Sequence, residues 1–445
     1  MSGSPELDAV VARWLLVALT PLVLAGPLRW AVVTWLVMTN LDATGSGVAA
    51  QASVGWLNAF KAVVLPAWLL VRLRGLREVV PRAWPGWLWL GLAVWACVTA
   101  LWTPYPLAAV KLGAGMAAMW LGFIALRVTL ERGLLNDRTI WWFLLVSIFL
   151  GLVQTIGFGD GSFGYAGRGM PQRFTSFVAA QQFAALLAAM VCWALWTPWL
   201  AEAHRTAVLA ALFAALAANG SRTWTLGTLI ALGIYTLVKR PRWLNLARVV
   251  VAIVILASVP AIRRGLTRQS PGEPPNRLTA TASALIKGED RTDGMGLGTA
   301  RFRLRMYGGV WEAWRAGAWQ QWLLGRGAGS AADVAQRLFP YAYRGASLDP
   351  NRVVHNEWLR VLYELGVAGA VLWLGALGGL VRFAWSRRAD DTGMALLSYL
   401  PAFLLGVSAE NVLDGAGNAV TTGLLLLAAR AAAAAEVRET RADPS

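Results

Sequence analysis

The chain has 445 residues, 57% hydrophobic and only 14% charged, with a mean hydropathy of +0.52. That is too apolar for a soluble globular protein, and it points to a polytopic membrane protein. A net charge of +16 would suggest nucleic acid in a soluble chain. In a membrane protein, cytoplasmic loops already account for most Lys and Arg, so no nucleic-acid partner is expected.

The first apolar run, Val10 to Met38, is interrupted by Gly26-Pro27 and Arg29, and it forms either one kinked span or a tight helical hairpin. Clearer runs follow at about 53–72, 84–103, 107–127, 140–157, 175–199, 206–220, 222–238 and 246–262. After a long loop come runs at about 357–381, 393–409 and 416–433. Stretches of about 18 to 25 apolar residues are transmembrane candidates. Counting the first run once predicts an all-α protein of about 12 transmembrane helices. Residues 1–262 hold helices 1–9, 263–356 form the large loop, 357–433 hold helices 10–12, and 434–445 make a cytoplasmic tail. Many of the 25 tryptophans lie near the ends of apolar runs, as expected of rings at a membrane interface. Cys97 and Cys192 fall inside apolar runs and make no disulfide or metal pattern. Glu6, Asp8 and the lack of a small-residue cleavage site speak against a cleavable signal peptide.

Loop charge sets the predicted orientation. Arginines at 72, 74, 77 and 82, at 127, 132 and 138, and at 382, 387 and 388, with the basic cluster from Lys239 to Arg248, all fall in even-numbered connections. Those connections are predicted to be cytoplasmic. The short odd connections at 40–52 and 103–106 carry no Lys or Arg. Cations on the outward side therefore stand out. Arg168 and Arg173 lie in one outward loop, Arg222 in the tight turn NGSRTW, and Lys111 near the outer end of its span. The long loop from Arg263 to Val354 holds fourteen Lys and Arg against seven Asp and Glu.

Within that loop, 269–299 is rich in Pro, Gly and polar residues. Residues 301–324 predict an amphipathic helix whose Trp311, Trp314, Trp319 and Trp322 lie against the membrane. The glycine turn LGRGAGS, 324–330, is either a plain loop turn or a set of backbone N–H groups facing an anion.

An outward arginine cluster suits a diphosphate, because guanidinium binds phosphate oxygens in a two-pronged fashion. Arg222, Arg173 and the loop arginines Arg301, Arg303 and Arg305 are the candidates. In a helix Arg301 and Arg305 share a face, while Arg303 points elsewhere. His355 precedes the apolar helix that starts near Glu357. Its imidazole either caps that helix or handles a proton near neutral pH. His204 falls in a cytoplasmic connection and reads as surface. Asp42 is the only carboxylate in the first outer loop, so no metal site is expected, and no Walker motif occurs.

Taken in order, three segments resemble the O-antigen ligase and polymerase superfamily of bacterial inner membranes, nearest to the lipopolysaccharide O-antigen ligases. They are Ser221-Arg222, the segment from Arg303/Arg305 to Gly325-Arg326-Gly327, and HNEWLRVLYELGVAG from His355 to Gly369. Arg173 followed by Phe-Thr-Ser-Phe is a looser fourth, without the Asn-Pro-Asn often found after that arginine in relatives. The resemblance implies a GT-C-type glycosyltransferase with a large periplasmic loop, inverting and independent of metal or cofactor. It implies that a glycan on undecaprenyl diphosphate passes to a sugar hydroxyl of the lipid A core at the periplasmic face of the inner membrane. His355 would take the acceptor's proton or orient that hydroxyl, and Arg222 with Arg303/Arg305 would hold the diphosphate. Rival readings are an O-antigen polymerase, a protein-glycosylating relative, and a flippase for the same lipid-linked glycan. A flippase would want an internal repeat and charges along its spans.

Overall fold

The computed structural model describes residues 5–42, 56–81, 84–157, 174, 176–178, 180–239, 242–266, 298–339, 354–413 and 419–442. All the regular elements among them are helical. In chain order they are α1 (Pro5–Ala25), α2 (Leu28–Met38), a π-helical stretch Phe60–Val64 leading into α3 (Leu65–Arg72), α4 (Trp84–Val98), α5 (Pro106–Glu131) and α6 (Asp137–Gly157). Next come α7 (Ala180–Leu195), α8 (Glu202–Asn219), α9 (Arg222–Val238), α10 (Arg242–Leu266), α11 (Gly298–Arg315), α12 (Trp319–Leu324) and α13 (Ala331–Leu338). The chain closes with α14 (Glu357–Ser386), α15 (Asp391–Ala409) and α16 (Ala419–Ala442).

Five helical segments among the described residues are long and apolar enough to cross a membrane: α5, α14, α15, Asp137–Gln154 of α6 and Ala419–Glu436 of α16. Other apolar helices, such as α7, are shorter. Almost every side chain of α7 is buried, because α8, α9, α15 and α16 all pack on it. A helix apolar all round belongs in such a central place.

The first apolar run divides into two helices. Pro27 cannot extend α1, and Gly26 passes so close to the Leu22 carbonyl that a Cβ there would sit 2.4 Å from its oxygen. α2 then packs against α1, which is the hairpin arrangement.

Ion pairs bring the basic even-numbered connections to one end of the bundle. Arg127 meets Glu131 and Glu436 at 2.5 Å and Glu78 at 4.0 Å. Lys239 pairs with Asp391 at 2.8 Å and Arg430 with Asp137 at 2.9 Å, while Glu202 takes both Arg205 and Arg248. At the opposite end Asp42 N–H donates to the Phe177 carbonyl at 2.7 Å, and Lys61, buried in an apolar run, donates to the Leu41 carbonyl.

That second end carries a small separate core. Met306 and Val310 of α11, Ala331, Val334 and Ala335 of α13, and Val354 and Tyr363 enclose it. The described part of the long loop, 298–339, thus forms a helical cap, with Trp311, Trp319 and Trp322 left exposed on its surface. The cap docks through α14, which breaks at Gly366 (φ 69°, ψ −171°). Backbone groups freed by the break are used at once. Arg326 N–H donates to the Tyr363 carbonyl, Gly327 N–H to that of Glu364, and the Trp95 indole to that of Leu365.

Candidate functional site

His355 stands at the junction of cap and bundle, with φ 52° in the left-handed region. A non-glycine residue held there is strained by a few kcal/mol at most, roughly 1 to 3, and such strain concentrates at functional sites. The capping role goes to its neighbour: Asn356 Oδ1 accepts from Leu359 N–H at 3.1 Å and starts α14.

Three elements converge on it. From α11, Tyr307 donates its hydroxyl to the His355 carbonyl at 2.8 Å. Arg303, one turn earlier on the same face, places Nη2 3.2 Å from Glu410 Oε1. Glu410 follows directly on α15, and its Oε2 lies 3.9 Å from His355 Nδ1. Asn411 next to it touches His355 twice, accepting from its backbone N–H at 3.0 Å and placing Nδ2 3.3 Å from Nδ1. Trp358 donates to Ser408 Oγ at 2.9 Å and closes the junction. The His355 side chain is 35% exposed and that of Glu410 only 11%. Burial pushes the Tyr307 phenol above its usual range, and the Glu410 charge adds to this against the opposing pull of Arg303, so Tyr307 keeps its proton and stays a donor.

Arg222 reaches the same level by helix geometry. A Cβ on Gly406 would sit 2.5 Å from the Trp224 ring, and one on Gly227 would sit 2.3 Å from Ala402 Cα. Antiparallel α9 and α15 therefore bring Arg222 level with residues 407–408, the last turn of α15 before Glu410. Its turn is braced by Asn219, whose amide donates to the carbonyls of Phe174 and Ala180 at 2.8 and 2.9 Å. Phe174 is the first described residue after Arg173. Arg168 and Arg173 lie outside the described residues, and so does 269–297, most of the Pro/Gly-rich stretch.

The loop arginines separate. Arg303 joins the cluster, whereas Arg305 is exposed and stacks 5.5 Å over the Phe339 ring. Arg301 lies on α11, one turn before Arg305 on the same face, and its side chain is outside the described set. Lys111 is exposed in the second turn of α5. His204 is exposed near the Arg127 end.

The glycine turn is a structural clasp. Its N–H groups from Gly325 to Gly327 donate to protein carbonyls, and Ala328 N–H goes to Thr99 Oγ1. Below it lies a buried trio. Arg360 reaches Glu357 and Glu364, each at 3.3 Å, and the three side chains are at most 1% exposed. Glu357 also accepts from Leu413 N–H and Glu364 from Ala331 N–H, so the trio ties α14 to α13 and to the segment after Asn411. Removing one member of such a set costs about 3–5 kcal/mol, because the remaining charges stay buried.

Sequence reasoning missed Glu410, Asn411 and Tyr307. A carboxylate directly after an apolar span, on the side of His355, was the available signal for Glu410. Tyr307 shares a helix face with Arg303, but nothing in the sequence says which face meets His355.

A cavity of about 280 Å³ lies away from this site, between α4, α5, α14, α15 and α16. Trp89, Phe123, Leu377, Phe403 and Leu425 line it, with Arg127 and Glu78 at its margin. Its walls suit lipid tails rather than sugars. Among the described residues no group of three or more His, Cys, Asp or Glu has metal-holding geometry.

Helices long and apolar enough to cross a membrane, a helical cap and a charged cluster at their junction are those of a polytopic membrane protein with a polar site at one end of the bundle. Residues 206–374 match the family model described as O-Antigen ligase. The match contains Arg222, Arg301, Arg303, Arg305 and His355, and it stops before Glu410 and Asn411. A comparison with curated proteins gives no match.

Proposed function

We propose that this protein is an O-antigen ligase of the bacterial inner membrane. It transfers a glycan from undecaprenyl diphosphate to a hydroxyl of the lipid A core at the periplasmic face. The observation that carries this reading is the meeting of Glu410 with His355 and Arg303, which like Arg222 lie within the stretch that matches the O-antigen ligase family model.

Guanidinium groups supply the charge that a divalent cation supplies elsewhere, so the reaction needs no metal or cofactor. Arg222 and Arg303 hold the diphosphate and stabilise it as it departs. The acceptor hydroxyl oxygen attacks the anomeric carbon from the face opposite the diphosphate, which inverts the configuration. The carbon–oxygen bond to the diphosphate breaks with its electron pair on the leaving group. The hydroxyl proton passes to the His355–Glu410 pair. Both substrates are lipid-anchored at one surface, so alignment supplies much of the rate. The exposed tryptophans of the cap lie against headgroups beside them.

The test is reconstitution with undecaprenyl-diphosphate glycan and lipid A core. Glycan on the lipid A core is the expected product. Longer carrier-linked chains would instead mean a polymerase, and unmodified glycan crossing the bilayer a flippase.

A further inference from the structure

The contacts of Asn411 determine which form of His355 the site uses. Asn411 Oδ1 accepts from the His355 backbone N–H at 3.0 Å, which fixes the direction of the planar amide. The other end of that amide, Nδ2, then faces the ring, 3.3 Å from Nδ1. An amide nitrogen can only donate. Nδ1 must offer its lone pair, and the proton of the neutral imidazole belongs on Nε2. Turning the amide round would set its NH2 against the backbone N–H, so the orientation is chemically enforced.

Glu410 is the competing partner. A carboxylate bonded to Nδ1–H would favour the opposite tautomer, the arrangement that frees Nε2 to act as a base. Its nearest oxygen is 3.9 Å from Nδ1, beyond hydrogen-bond reach, and its other oxygen is engaged by Arg303 at 3.2 Å. The amide therefore governs the ring.

We propose that Asn411 is a positioning residue that holds neutral His355 in its Nε2–H form, so that His355 meets a substrate oxygen as a donor and Glu410 takes the acceptor's proton. This rests on the glycosyl-transfer reading and divides the roles within its His355–Glu410 pair. A phosphate oxygen of the departing diphosphate is the natural partner for an Nε2–H donor. In the transfer step the acceptor oxygen bonds to the anomeric carbon, the diphosphate leaves with the electron pair, and the hydroxyl proton ends on a Glu410 oxygen.

Histidine is scarce enough for a direct test. The chain has two, and His204 is exposed near the other end of the bundle. In full-length protein carrying His204→Gln, ¹⁵N-labelled histidine reports His355 alone. Above the usual imidazole pKa of roughly 6.5, wild-type Asn411 is expected to give a bare Nδ1 and a protonated Nε2. Asn411→Asp should reverse them, because a carboxylate accepts from Nδ1–H. A protonated Nδ1 with Asn411 in place, or spectra indifferent to Asn411→Asp, overturns the tautomer assignment. For the division of roles, His355→Gln keeps a donor without a base and should transfer at least about tenfold faster than His355→Ala. Glu410→Gln should slow transfer by about 100-fold or more. Equal rates for His355→Gln and His355→Ala, or normal transfer by Glu410→Gln, overturn that division. The spectra need no substrate, so the tautomer is judged even if no glycan transfer is found, whereas absent transfer by the unmutated protein removes the functional reading itself.

Discussion

Gly325 and Gly366 cross backbone to backbone, and that crossing joins the cap to the membrane bundle. Both have positive φ, 79° and 69°, and a Cβ on Gly325 would sit 2.2 Å from the Glu364 oxygen and 2.6 Å from Gly366 N. A Cβ on Gly366 would meet Gly325 N and Leu323 O, each at 2.4 Å. Gly325→Ala and Gly366→Ala should each destabilise by about 2–4 kcal/mol, from backbone strain plus overpacking. Gly308→Ala is the control. It lies in α11 with open space around it and should be neutral or stabilising by up to about 1 kcal/mol. Thermal unfolding in detergent compares the three, and a control that falls as far as the other two removes the explanation.

His355→Ala should abolish glycan transfer, by about 100-fold or more, in protein that still inserts and binds carrier lipid. Transfer to lipid A core is the measurement, with carrier binding measured on the same preparation. Normal transfer would remove His355 from the mechanism.

The arginines should not be equivalent. Arg303 pairs with Glu410, whereas Arg305 is exposed over Phe339. Arg303→Ala is expected to cost about 100-fold in turnover, and Arg305→Ala about threefold or less. Arg222→Ala should weaken carrier binding, and Arg222→Lys should restore little of it because the planar fork is lost. Equal losses at 303 and 305, or full rescue by lysine, would count against this ranking.

Transfer should survive EDTA, since the proposed site neutralises the diphosphate with guanidinium groups. A strict requirement for added Mg²⁺ or Mn²⁺ in the reconstituted reaction would move the protein to another mechanistic class.

The Tyr105 hydroxyl donates to Asp333 at 2.7 Å and ties α13 to the start of α5. Burial first, then the bond to Asp333 and its charge, push this phenol up to about 12 from 10.0. Between those values the folded state keeps a proton that the unfolded chain has lost. The stability from this group is full below about pH 10 and is lost as pH rises through about 12. Unfolding followed from pH 8 to 12 should show that decline in the native protein and a smaller one in Tyr105→Phe; identical profiles would dissociate it from Tyr105.

The apolar runs placed most helices to within a few residues, because a membrane-crossing helix must be apolar over its length and its connections carry the charge. The segment 222–238 was read with the bounds the structure gives. The charge pattern grouped the even connections, and the Arg127, Lys239 and Arg430 ion pairs gather them at one end. The break at Gly366 left no such trace, since a glycine in an apolar run can sit in a straight helix. What decides it is the approach of Gly325, forty-one positions earlier.

His355 and the arginines stand out in the sequence as candidates because cations and an imidazole beside long apolar runs need a purpose. Composition also fixed the membrane class by itself, since so apolar a chain has no other solvent. Only the tertiary structure set Arg303 beside Glu410 and Arg305 over Phe339, brought Glu410 and Asn411 to His355, and made the glycine segment a clasp, where its sequence left a plain turn and an anion nest both open. These depend on which helix face meets which neighbour and on distances of a few tenths of an ångström. One amide oriented by a backbone N–H determines which nitrogen of His355 carries the proton, and local sequence holds no record of that contact.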